Sequence, residues 1–130
     1  MRCSHCGICC EETEMPLSEK DVRLLEKAAC KRERFVRYDK HGFALLQNRR
    51  GHCVFYDVER RRCKAYKSRP LGCRLYPVVY SEGNVAIVDE LCPMGRTVSR
   101  AELRKKGEKV GELLRRIELE ASGRIMSRGL

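Results

Sequence analysis

The chain of 130 residues has no tryptophan, only two asparagines (Asn48 and Asn84) and one glutamine, Gln47. So few amides beside a 35% share of charged residues is the balance found in hyperthermophilic proteins, and points to such a host. No apolar run approaches the roughly 18–20 residues needed to span a bilayer, which argues against a membrane-spanning helix. No apolar stretch precedes the opening Met1-Arg2-Cys3-Ser4-His5-Cys6, so no secretory leader is expected. Nor does the chain offer a Ser/His/Asp set, a phosphate-cradling glycine loop or a carboxylate pair. It therefore names no reaction, and leaves open whether the protein is an enzyme.

Cysteine, by contrast, is abundant, with nine residues. The expected compartment is the cytoplasm, where thiols stay reduced and clustered cysteines more often hold metal than pair as disulfides. A purely disulfide framework would also leave one of the nine over. Hyperthermophiles can keep disulfides inside the cell, which weakens the compartment argument without reversing it.

The net charge of +10 is unevenly spread: residues 31–74 carry 14 basic and 4 acidic groups, whereas residues 1–30 carry 4 and 6. A basic middle of this kind can attract nucleic acid or an acidic protein partner. It can equally offset the charge of a cofactor, since four thiolates around a divalent zinc leave about −2.

Hydrophobic periodicity predicts a small α+β domain. After the cysteine-dense residues 3–10, Ser18 with Asp21 three residues on forms a capping-box variant. Val22, Leu24, Leu25, Ala28 and Ala29 then supply an apolar face through about Cys30. Residues 34–90 read as short strands. Phe35-Val36-Arg37-Tyr38 and Phe43-Ala44-Leu45-Leu46 flank a polar turn, Cys53-Val54-Phe55-Tyr56 is another strand, and 78–80 with 85–88 form a hairpin around Ser81-Glu82-Gly83-Asn84. Ser99 and Glu102 start a C-terminal helix with a stripe of Leu103, Val110, Leu113, Leu114 and Ile117. Gly107 and Gly111 each weaken that helix by roughly 1 kcal/mol but permit a close backbone approach. Past Ala121 the tail is expected to fray. The working division is a cysteine-cluster domain over 1–98 and a helix over 99–130 packed on it.

The chemistry lies in two cysteine groups. In Cys3-x2-Cys6-x2-Cys9-Cys10, thiolates two residues apart can converge on one metal, with Gly7 supplying permissive dihedrals. The spacing matches the start of the bacterial ferredoxin run, whose further ligand is a cysteine followed by proline. Cys92-Pro93 is the one such pair here. The second group is Cys53, Cys63 and Cys73, evenly spaced by ten, with Cys92 beyond. A donor set this rich in sulfur selects zinc or iron–sulfur over magnesium, calcium or manganese. Ligand type alone does not choose between those two.

Four stretches carry a specific resemblance: Cys3-Ser4-His5-Cys6-Gly7-Ile8-Cys9-Cys10, Gly51-His52-Cys53-Val54-Phe55, Arg62-Cys63-Lys64-Ala65-Tyr66, and Arg69-Pro70-Leu71-Gly72-Cys73-Arg74-Leu75-Tyr76-Pro77. Over roughly residues 3–93 the chain resembles the YkgJ-type cysteine-cluster family, a zinc- or iron-chelating domain. The resemblance implies Cys3, Cys6, Cys9, Cys10, Cys53, Cys63, Cys73 and Cys92 as the metal-binding set. Tyr76 stands where the family pattern carries Phe. A flagellin lysine methylase belongs to the family, but such members are much longer.

Other residues have plainer readings. Cys30, outside the family pattern, is expected to be a buried core thiol. His5 and His52 neighbour ligand candidates and could replace a thiolate on zinc or orient one; His41 is expected in solvent. Arg69 and Arg74 could donate to cluster sulfurs or an anionic ligand, or else fix the loop around Cys73. Tyr66, Tyr76 and Tyr80 are expected to be core aromatics with a polar tip.

Three functions follow. The first is an iron–sulfur protein with one 4Fe–4S cluster and a redox or cluster-dependent role. The others are a zinc module whose basic face binds nucleic acid or a protein partner, and a metal storage or delivery protein.

Overall fold

The computed structural model describes residues 14–81, 85–89, 91–92 and 94–128. Ser18 caps helix α1 (Glu19–Ala28) as its residue type predicts. Its hydroxyl accepts from the Asp21 amide at 3.1 Å, and Asp21 Oδ2 accepts the Ser18 amide at 3.2 Å. Val22 and Leu25 are fully buried, while Leu24 is 43% exposed. At 100° per residue Leu24 lies about 200° round from Val22, so the inward stripe is narrower than the run of apolar letters.

Strand β1 (Pro16–Leu17) pairs with β3 (Ala44–Leu46), which pairs with β2 (Val36–Tyr38), both antiparallel. The β2–β3 turn uses Asp39, whose Oδ1 accepts the amides of His41 and Phe43, each at 2.9 Å. Gly42 follows with φ +85°, which an L side chain rarely adopts. This sheet and α1 bury Leu17, Phe35, Ala44 and Leu46, extended by Phe55, whose ring lies 5.5 Å from that of Phe35.

Residues 47–68 differ from expectation. Cys53-Val54-Phe55-Tyr56 is not one strand but the junction of two small hairpins: β4 (Asn48–Arg49) with β5 (His52–Cys53), and β6 (Tyr56–Asp57) with β7 (Arg62–Cys63). Left-handed residues turn both, Arg50 (φ 53°) and Gly51 (φ 83°) in the first and Arg61 (φ 53°) in the second. A 3-10 turn at Tyr66–Ser68 then leads to a five-residue helix, α2 (Leu71–Leu75), in a stretch that reads as β from composition.

After a cis Tyr76–Pro77 peptide, β8 (Val78–Ser81) and β9 (Val85–Val88) form the expected hairpin. Helix α3 (Arg100–Arg128) packs on that hairpin and on α2, burying Val110, Leu113, Ile117 and Ala121. The glycines mark the close approach. A Cβ at Gly107 would stand 2.7 Å from that of Ala86, and one at Gly111 would collide with the Tyr80 hydroxyl. That hydroxyl donates to the Gly107 carbonyl at 3.1 Å.

The helix does not end near Ala121. Glu120 accepts the Glu19 amide at 3.0 Å, a carboxylate at the positive end of α1. Arg124 donates to the Gly42 carbonyl at 2.9 Å and to Glu19 at 3.4 Å. Tertiary partners hold the last two turns. Among the described residues no helix is long and apolar enough to cross a membrane.

Candidate metal centre

The ten-residue spacing of Cys53 and Cys63 has a structural origin: each ends the second strand of a hairpin, two residues after a left-handed position. The residue following each cysteine closes its hairpin. The Val54 amide donates to the Gln47 carbonyl at 2.9 Å, and the Lys64 amide to that of Phe55 at 2.7 Å. The same device, used twice, sets two thiols on successive hairpin ends. Cys73 keeps the spacing by other means, sitting in the middle of α2.

Cys53 is buried in the first core, and Cys63 and Cys73 pack against it half-buried. Cys30 packs there too and is half-buried rather than fully enclosed. Met15 also lies on this core, and its sulfur would meet any Cβ placed on Gly72, next to Cys73. Since Pro16 enters β1 directly after Met15, the chain enters that strand beside α2.

Cys92 belongs to a different segment, tied to the end of α2 through Asp89. The Tyr76 hydroxyl donates to Asp89 Oδ2 at 2.6 Å, the Leu91 amide to Oδ1 at 3.0 Å, and the Cys92 amide to the Asp89 carbonyl at 3.3 Å. Asp89 thereby positions the Cys92 turn. An aspartate that bonds an amide two residues on is a common turn element, but its long-range partner, Tyr76, had no sequence signal.

Asp21 is a second residue whose role the sequence understates. Only 4% exposed, it completes the α1 box with Oδ2 while Oδ1 accepts the Leu71 amide at 3.1 Å. One carboxylate thus caps α1 and holds the first turn of the helix bearing Cys73.

The two arginines sit differently. Arg69 Nε donates to the Tyr66 carbonyl at 3.0 Å, with its guanidinium 3.9 Å from the centre of the Tyr66 ring. That is the loop-fixing geometry. Arg74 is exposed and lines a groove shared with α1 and α3. His52 stacks on Tyr56, centroids 5.0 Å apart, with Nδ1 3.4 Å from the Arg50 carbonyl. His41 is exposed.

Cys3, Cys6, Cys9, Cys10 and His5, with Pro93, lie outside the described residues. Among the described residues no three Cys, His, Asp or Glu side chains converge on one point. The donors present suit thiophilic metals, being sulfurs on rigid hairpin and helix positions beside a buried core.

A small α+β domain with thiols presented on hairpin ends and a short helix is the class that fold and site define. The chain belongs to the CxxCxxCC family, described as a putative zinc- or iron-chelating domain, which it matches over residues 2–93. It is also 35% identical over 78 residues to an uncharacterized protein of Methanocaldococcus jannaschii, a stretch covering 58% of this chain. The match spans 43% of that relative's length, less than half. No solved structure matches the chain.

Proposed function

We propose that the protein holds a 4Fe–4S cluster on four of its eight family-pattern cysteines and serves a redox or cluster-dependent role. The observation that carries this reading is the packing of Cys53, Cys63 and Cys73 on one core, with Met15 beside Gly72 of α2. The spacing Cys3-x2-Cys6-x2-Cys9 supports iron–sulfur over zinc, being that of the bacterial ferredoxin run, and Cys92-Pro93 supplies its remote cysteine–proline ligand. The Asp89 turn carries Cys92 to the end of α2. When bound, such a cluster would supply one-electron chemistry, with the chain's own hairpins and α2 fixing the sulfurs.

Anaerobic purification followed by iron, zinc and acid-labile sulfide analysis tests the proposal. Brown protein with a broad band near roughly 400 nm and matching iron and sulfide is expected. Colourless protein carrying stoichiometric zinc would overturn it.

A further inference from the structure

Beside the hairpins lies a cleft of about 1260 Å3, larger than the roughly 300–1,000 Å3 that holds a drug-sized molecule. Its apolar lining includes Val54, Phe55 and Ala65, together with Tyr66. Its charge is one-sided. Arg34 reaches it from the 3-10 turn before β2, Arg49 from β4, Arg60 and Arg61 from the β6–β7 turn, and Arg62 from the start of β7. Lys64 and Lys67 continue the rim, and Asp57 is the one carboxylate among the described lining residues. Asp57 is engaged in its own turn, Oδ1 accepting the Glu59 and Arg60 amides at 3.1 Å each, and its Oδ2 lies 3.8 Å from an Arg60 side chain that is 70% exposed.

Seven cations against one anion exceed what a thiolate centre needs, since four thiolates on zinc carry only about −2. All seven are exposed, so burial of the cofactor does not account for them. Five are arginines, whose planar forks match phosphate oxygens in pairs. A concave, aromatic-bearing cleft ringed by such forks suits a flexible strand, which lays phosphates on the rim and stacks bases inside. A duplex would meet only the rim. We propose that this cleft is a binding site for single-stranded nucleic acid, whichever metal the thiolates hold. Cys63 lines the same cleft, so if it is a metal ligand, as the proposed function holds, the strand lies against the metal centre.

The test is fluorescence polarisation with a labelled single-stranded oligouridine on the metal-loaded full chain. If about four phosphates are neutralised, affinity falls roughly 50-fold between 50 and 200 mM salt. Reversing Arg34, Arg49, Arg60 and Lys67 to glutamate, none adjacent to a cysteine, weakens binding at least about tenfold. Reversing the exposed Arg100, Arg104, Lys105 and Arg115 of α3 instead, for the same change in net charge, leaves it within about threefold because distant charges are screened. Photocrosslinks from a thiouridine-bearing strand on the unmodified protein map to residues 49–67, so the site is checked even if the cleft variant loses its metal. Four results would each overturn the proposal: no binding at 50 mM salt, equal loss in both variants, crosslinks on α3, or displacement by polyglutamate or duplex as readily as by cold oligouridine.

Discussion

Replacing Asp21 with alanine tests whether one carboxylate organises both α1 and the helix that presents Cys73. The side chain is 4% exposed and accepts two amides, Ser18 N at 3.2 Å and Leu71 N at 3.1 Å. Losing its half of the capping box costs about 0.5–2 kcal/mol. Leaving the part-buried Leu71 amide without an acceptor adds about 1–3 kcal/mol. A total of about 3 kcal/mol lowers the melting temperature of a chain this size by on the order of 10 °C. Ser18→Ala is the matched control, removing only the α1 cap at about 1 kcal/mol. Denaturant unfolding of the metal-loaded proteins gives the two losses. Metal release to a chelator then shows whether α2 is loosened, and is expected to be faster for Asp21→Ala alone. Equal stability losses and equal release rates in the two variants would refute the clamp.

Tyr76→Phe removes a hydrogen bond to a carboxylate, worth about 1.5–3 kcal/mol, and releases the Cys92 turn from α2. Reduced stability with faster hydrogen exchange at Leu91 and Cys92 is expected, and unchanged exchange there would count against Asp89 as a positioning residue. Gly107→Ala gains about 1 kcal/mol of helix propensity but drives a Cβ to 2.7 Å from that of Ala86. Overpacking of about 1–3 kcal/mol prevails, so denaturant unfolding should show net destabilisation, relieved by adding Ala86→Gly. The hydrogen-bonded Arg32 guanidinium holds the Glu26 carboxyl below its ordinary 4.5. This contribution is complete above the unfolded value and fades as pH falls through the lower folded one. Replacing Arg32 with Met should raise Glu26 toward the ordinary value in a carboxyl NMR titration, and no change would reject the pairing.

Elements with local chemistry were legible in the sequence. Ser18 and Asp21 announced α1, Ser99 and Glu102 announced α3, and the polar turn before Phe43 separated two strands where the structure has them. The glycines of α3 were read as a close approach, and Ala86 and Tyr80 occupy that space. What was hidden depends on partners far away in the chain. The last turns of α3 persist because Arg124 finds Gly42 and Glu120 finds Glu19, contacts that no local propensity encodes. The run 53–56 reads as a strand, yet Arg50 and Arg61 take left-handed backbone angles, which arginine does not advertise. Helix α2 is too short for a 3.6-residue period to emerge. For the candidate site, the cysteines were plain from their spacing, but Asp21 and Asp89 were not. Each acts across the fold, on Leu71 and on Tyr76.

The central claim is a metal held by sulfur alone. X-ray absorption at the iron and zinc edges of anaerobically prepared protein tests it most directly, because first-shell scattering separates sulfur near 2.3 Å from lighter donors near 2.0–2.2 Å. The account predicts an iron edge with an all-sulfur first shell and a short iron–iron vector. A shell of nitrogen and oxygen, at either metal, would contradict it.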